Sequence, residues 1–242
     1  MTQYGFFYDE SRCVDCRACS ISCRDWNGLE PGDVKYLRRF TWEEGVFPEL
    51  SVHSLFVPCY HCEKPACVNA CPTGACFKED KYGAVLVDKE SCIGCEACYE
   101  ACPYGCPRFR DNVMKKCTMC IDRLENGDMP ACVNSCIVRA LDFGPIEELR
   151  EKYGDIEKIE GMPDPSMTKP AVTFKPVEPK KQIVPLDPNK VRELFGQRAE
   201  ISPLYETVDV FGNIEEGAVR ANKLDLKLTE EEERRTYVSK ES

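Results

Sequence analysis

Sixteen of the eighteen cysteines in this chain fall into four groups of four, all of them between Cys13 and Cys136. Cys13, Cys16, Cys19 and Cys23 run C-x2-C-x2-C-x3-C, and Cys92, Cys95, Cys98 and Cys102 repeat that spacing with Pro103 next. Cys59, Cys62, Cys67 and Cys71 differ in a wider middle gap and are followed by Pro72. Cys117 and Cys120 open the fourth group, which Cys132 and Cys136 close after an insertion of eleven residues. No fold can ignore so many thiols at so regular a spacing.

The C-x2-C-x2-C-x3-C-P run is the bacterial ferredoxin signature for [4Fe–4S] clusters. Three closely spaced thiolates hold three corners of one cubane, and the fourth cysteine reaches a neighbouring cluster. Two other uses of cysteine compete. A secreted disulfide scaffold is disfavoured, because MTQYGFFYDESRC at the N-terminus lacks a basic and then apolar leader. Zinc also takes C-x2-C pairs, but it favours two pairs separated by a longer loop. Here a third cysteine follows within three to five residues of the second in most groups, which suits a cubane corner better. Long apolar periodic stretches are few in this region, so metal–thiolate bonding is expected to supply much of its cohesion. The apo-protein is accordingly expected to be largely unfolded.

The formal charge of −10 understates the negative charge, since a four-thiolate cluster adds about −2 in its oxidised form. Arg12, Arg17, Arg24, Lys115, Lys116, Arg123 and Arg139 lie within a few residues of the motif cysteines. They either offset that charge or are ordinary solvated residues. No basic stripe with interleaved aromatics points to nucleic acid, and no apolar run reaches the roughly 18 residues of a membrane span. A soluble subunit is the expectation.

An internal repeat surrounds the motifs. Asp9 and Asp88 each stand four residues before the first cysteine of a group, after the strand-like runs Phe6–Tyr8 and Ala84–Val87. Phe77–Glu79, the turn Asp80–Gly83 and Ala84–Asp88 read as a hairpin. Four residues beyond the last cysteine of three groups stand Ala75, Cys106 and Ala140. The pattern is that of two ferredoxin-like modules, each with pseudo-twofold symmetry. In this register Cys106 and Cys76, which aligns with Leu141, read as small buried thiols rather than ligands. His61, inside Cys59-x-His61-Cys62, reads as a packing or supporting residue, and His53 has no motif around it. Ile146–Tyr153 reads as a short helix stopped by Gly154. Prolines then recur at 163, 165, 170, 176, 179, 185 and 188. They predict an extended strap over residues 156–211, with Phe174, Leu194, Phe195, Leu204, Tyr205, Val208, Val210 and Phe211 as apolar anchors for a partner surface. A charged tail occupies 212–242.

Four such groups, with the last interrupted between Cys120 and Cys132, resemble the iron–sulfur electron-transfer subunits of the dimethyl sulfoxide reductase family of molybdopterin oxidoreductases. The resembling stretches are TQYGFF before Cys13, HCEKPAC from His61, CIGCEACYEACPYG from Cys92, KCTMC from Lys116, and RALDFGPIEELREKYGD from Arg139. The resemblance covers about the first 155 residues. It implies an α+β fold over 1–155, with two interleaved bacterial-ferredoxin-like modules holding four [4Fe–4S] clusters. It also implies crossed ligation. Cys13, Cys16 and Cys19 would share a cluster with Cys136, and Cys117, Cys120 and Cys132 one with Cys23. Cys59, Cys62 and Cys67 would take Cys102, while Cys92, Cys95 and Cys98 take Cys71. The sequence departs from the family at Ile137, where a proline usually follows the ligand, at Cys76 and Cys106, and in its longer C-terminal tail.

No open metal position, Ser/His/Asp set, phosphate loop or dinucleotide fingerprint is present in the sequence. The chain therefore reads as a non-catalytic electron-transfer subunit of an oxidoreductase. Its implied partner is a large catalytic subunit carrying molybdenum or tungsten bis-pterin, with a membrane anchor subunit or soluble donor on the other side, in anaerobic respiration. Two other classes remain: a polyferredoxin-like component of a hydrogenase or other redox complex without pterin, and a zinc-stabilised interaction module. Assembly is expected in the cytoplasm, with export only alongside a partner that carries a twin-arginine signal.

Overall fold

The computed structural model describes residues 2–30, 34–44 and 51–177. Its first half contains strand β1 (Tyr4–Asp9), helix α1 (Ala18–Trp26), strands β2 (Arg38–Glu44) and β3 (Ser51–Val57), helix α2 (Ala66–Asn69), and strands β4 (Cys76–Lys78) and β5 (Val85–Val87). Helix α3 (Ala97–Ala101), strands β6 (Arg108–Arg110) and β7 (Val113–Lys115), and helices α4 (Ile121–Glu125) and α5 (Ala131–Asn134) follow. Strand β8 (Leu141–Pro145), helix α6 (Ile146–Tyr153) and strand β9 (Val172–Lys175) complete them. Mixed α and β content is as expected. Helices this short are not stable alone, so what they pack against must hold them.

A three-stranded sheet of order β8-β1-β9 anchors the molecule. β1 pairs antiparallel with β8, Phe6 opposite Phe143, and parallel with β9, Tyr8 opposite Phe174. Both faces of β1 are covered, which explains the unbroken run Phe6–Phe7–Tyr8. Side chains alternate across a strand: Phe6 and Tyr8 enter the main core with Phe56, Phe143 and Phe174, whereas Phe7 stacks on Tyr153 at 3.7 Å on the α6 side. Gly5 lies so close to the next segment that a Cβ would stand 2.4 Å from the Ala171 carbonyl oxygen.

The remaining strands form three antiparallel pairs, β2 with β3, β4 with β5, and β6 with β7. The β4–β5 hairpin and α6, capped by Gly154 at φ 96°, occur where local sequence signals predict them. α1 packs against α5, and α2 against α3. No helix among the described residues is long and apolar enough to cross a membrane.

Of the expected strap over 156–211, residues 156–177 are described, and they pack against the body. Residues up to Lys175 belong to the packed body, because β9 lies between Pro170 and Pro176 and forms an edge strand. Edges are where proline-flanked segments fit a sheet. Val172 and Phe174 are fully buried, and the Phe174 amide donates to the Ile156 carbonyl at 2.8 Å. Residues 178–211 of the expected strap and the tail 212–242 lie outside the described residues.

Deleting residues 162–242 should therefore destabilise the cysteine-rich body, since the buried side chains it removes include Val172 and Phe174, worth roughly 1.5–3 kcal/mol each. A protein ending at Val177 retains both. Thermal melts and iron content of the two truncations give the check: comparable values would show β9 to be dispensable.

Candidate metal centres

The four motifs share one backbone device. In each opening C-x2-C loop the second intervening residue is left-handed: Asp15 at φ 48°, His61 at 45°, Gly94 at 69° and Met119 at 61°. Three of these are not glycine, and such conformations are uncommon for residues with a Cβ. The turn folds the loop back on its first sulfur. The Asp15 amide donates to Cys13 Sγ and the Met119 amide to Cys117 Sγ, both at 3.4 Å. The closing cysteines receive amides too, Cys136 Sγ from Ala140 at 3.2 Å and Cys71 Sγ from Cys76 at 3.4 Å.

Helices then separate the sulfurs. Cys19 and Cys23 sit four residues apart on α1, and Cys67 and Cys71 four apart on and just beyond α2. That spacing advances about 6 Å along a helix axis, enough to send the two sulfurs to different places. Cys71, Cys92, Cys95 and Cys98 line one cavity. Cys59, Cys62, Cys67 and Cys102 line a second. Cys23, Cys117, Cys120 and Cys132 line a third. Cys13 and Cys136 both bear electrostatically on Cys19, and exposed Cys16 lies on the same loop.

These residues fit an iron–sulfur group. Among the described residues no three Cys, His, Asp or Glu side chains converge as on a single ion; the thiols instead face one another across space. Burial and neighbouring cysteines push Cys23 up to about 12, and burial, Cys59 and Cys102 do the same for Cys62. Thiolates so crowded need a cationic centre, and a coordinating thiol is deprotonated outright. His61 is fully buried, and burial lowers its pKa to about 4. Its Nδ1 accepts from the Val85 amide at 2.9 Å, which leaves the proton of the neutral ring on Nε2, a buried atom without a partner. The ring bears electrostatically on Cys59.

Cys106 lines the second cavity and Cys76 the first. Cys106 is buried, its thiol donates to the Pro58 carbonyl at 3.1 Å, and its proximity to Cys102 and Cys59 raises its pKa well above the ordinary thiol value. It keeps its proton. Cys76 is buried beside Cys67.

Among the described residues, Arg39 and Lys116 are cations that reach a sulfur. Arg39, in β2, donates to Cys13 Sγ at 2.8 Å and to Asp15 Oδ1 at 3.2 Å, with its side chain only 4% exposed. Burial raises the Cys13 pKa, but the Tyr8 hydroxyl and Arg39 outweigh it and bring the thiol below its ordinary value. Sequence reasoning misses Arg39 because β2 carries Arg38, Arg39, Glu43 and Glu44; the apolar alternation of Phe40 and Trp42 is the available signal. Lys116 lies 3.6 Å from Cys59 Sγ. His53, without a motif, bonds Glu10 Oε1 through Nδ1 at 3.0 Å and stacks on Trp42.

Replacing Cys106 or Cys76 by Ala should leave iron content unchanged, because each lies beside a cavity already lined by four other cysteines. Cys102→Ser should damage the centre built on Cys59, Cys62 and Cys67. Loss of only the centre built on Cys92, Cys95 and Cys98, seen by EPR of the Cys102 variant, would contradict that placement.

Comparison with known proteins gives a consistent result. Residues 52–146 match the model of a 4Fe-4S dicluster domain. The sequence is 44% identical over 185 residues to a polypeptide of the anaerobic dimethyl sulfoxide reductase of Escherichia coli K12, covering 72% of this protein and 89% of that one. The corresponding polypeptide of the Haemophilus influenzae anaerobic dimethyl sulfoxide reductase is 38% identical over 187 residues, covering 73% and 90%. A sulfite dehydrogenase polypeptide of Allochromatium vinosum is 38% identical over 170 residues, covering 61% and 71%.

Proposed function

This protein belongs to the iron–sulfur subunit family of the anaerobic dimethyl sulfoxide reductases, and from that premise we propose that it relays single electrons through four [4Fe–4S] clusters to or from a molybdenum or tungsten bis-pterin catalytic subunit. Bound clusters supply one-electron carriers whose irons are saturated by thiolate. The observation that carries the reading is the crossed lining of the cavities: three cysteines of one motif meet the last cysteine of another. On that basis Cys13, Cys16, Cys19 and Cys136 hold one cluster, and Cys117, Cys120, Cys132 and Cys23 the next. Cys59, Cys62, Cys67 and Cys102 hold a third, and Cys92, Cys95, Cys98 and Cys71 the last. The modules of residues 1–155 are then interleaved, the first and fourth motifs enclosing one pair of sites.

An order among the sites supports the relay. α1 joins the first two sets through Cys19 and Cys23. Lys116 and Cys117, adjacent in sequence, join the second to the third, since Lys116 touches Cys59. Cys67 with Cys71, and Cys98 with Cys102, join the third to the fourth. The two end sets hold the exposed cysteines, Cys16 and Cys95. Beside them Val14, Ile93 and Ile137 are all more than 60% exposed. Electrons enter and leave at those ends, where a redox partner would cover the apolar side chains.

Iron and acid-labile sulfide should each approach about sixteen per polypeptide, four from each cubane, and the protein should co-purify with a much larger pterin-containing subunit. Iron near half that value, zinc in its place, or a complex without pterin would reject the proposal.

A further inference from the structure

Lys116 is only 3% exposed. Among the described residues its ammonium meets the Val85 carbonyl oxygen, the Cys117 carbonyl oxygen at 3.1 Å and Cys59 Sγ at 3.6 Å. None of these partners is a carboxylate. A buried ammonium costs several kcal/mol unless a negative charge compensates it, and the thiol sulfur that it meets is Cys59 Sγ. Two carbonyls aim the cation without neutralising it. Lys116 also immediately precedes Cys117, so it stands where the second and third sets meet.

Resting on the relay reading above, we infer that Lys116 is a positioning residue whose fixed charge raises the reduction potential of the cluster held by Cys59, Cys62, Cys67 and Cys102. One-electron reduction adds a unit of negative charge, with no bond made or broken and no proton transferred. An adjacent buried cation favours that reduced form, because the interaction is strong where water is excluded. A charge here tunes an interior step of the relay, away from either exposed end. A lysine that only filled space would leave the potential to other groups.

The test is an EPR-monitored redox titration of the whole complex as wild type, Lys116→Met, Lys116→Gln and Lys116→Arg, with iron counted in each sample. One midpoint should fall in the Met and Gln variants by a tenfold or greater change in the reduction equilibrium, about 59 mV for one electron. In the Arg variant it should return toward wild type. Unmoved midpoints in iron-replete Met and Gln variants would overturn the inference, as would an equal fall in the Arg variant. If the neutral variants lose iron, the test passes to wild-type protein labelled with ¹⁵N-lysine. Pulsed EPR of its reduced clusters should then detect a coupled lysine nitrogen, and absence of that coupling would overturn the inference. Wild-type protein lacking clusters altogether would instead reject the relay reading.

Discussion

A left-handed residue between the first two cysteines of every motif is the constraint on which the centres depend. It turns each loop so that its sulfur and the following amide face one another, as at Cys13 with Asp15 and Cys117 with Met119. At Asp15, His61 and Met119 the conformation is adopted by residues with side chains, at an expected cost of roughly 1–2 kcal/mol each. Such strain persists where the surroundings over-determine it, and it concentrates at functional sites. At Gly94 the reason is also steric, since a Cβ there would lie 2.4 Å from the Asn112 carbonyl oxygen. The loops therefore depend on the strands behind them, and the motif spacing is necessary without being sufficient.

Local signals made part of this fold legible. The β4–β5 hairpin has a glycine at its turn and apolar runs on either side, and α6 lies between Pro145 and Gly154; both follow from short-range chemistry. Cys106, Ala75 and Ala140, which share a register after their motifs, are all buried. What escaped was long-range. Strand β2 is half charged, and only its pairing with β3 brings Arg39 against Cys13. β9 looks like a linker because prolines flank it, yet its four residues complete the central sheet beside β1, more than 160 positions earlier in sequence. No local pattern reports a partner that distant.

Charge organises the interior as much as apolar packing does. Glu10 is buried and accepts from the Ser54 amide at 3.2 Å and the Val177 amide at 3.0 Å, while His53 lies against it. One carboxylate thus ties the turn before Cys13 to β3 and to the returning C-terminal segment. Arg39 ties the same region to the first centre. It lies sixteen or more positions from any cysteine of the motif whose sulfur it touches. Lys116 does flank a motif cysteine in sequence, yet the sulfur it contacts is from another motif. Sequence proximity to a ligand is thus a poor guide to which charge a centre feels. Folding decides it.

In the relay proposed above, sharing of short helices between centres has a physical consequence for electron transfer. Cys19 with Cys23, and Cys67 with Cys71, connect neighbouring sites through a single turn of backbone, so the spacing between those sites is set by helical rise rather than by flexible loops. The sulfurs are further held by amide donors and by the buried side chains of Arg39 and Lys116. Groups already oriented before charge arrives need little rearrangement when it does. A series of such sites combines fixed distances with small structural response. The stiffness that a relay requires therefore comes from the same left-handed turns, one-turn helices and buried cations that allow sixteen motif thiols to be packed together.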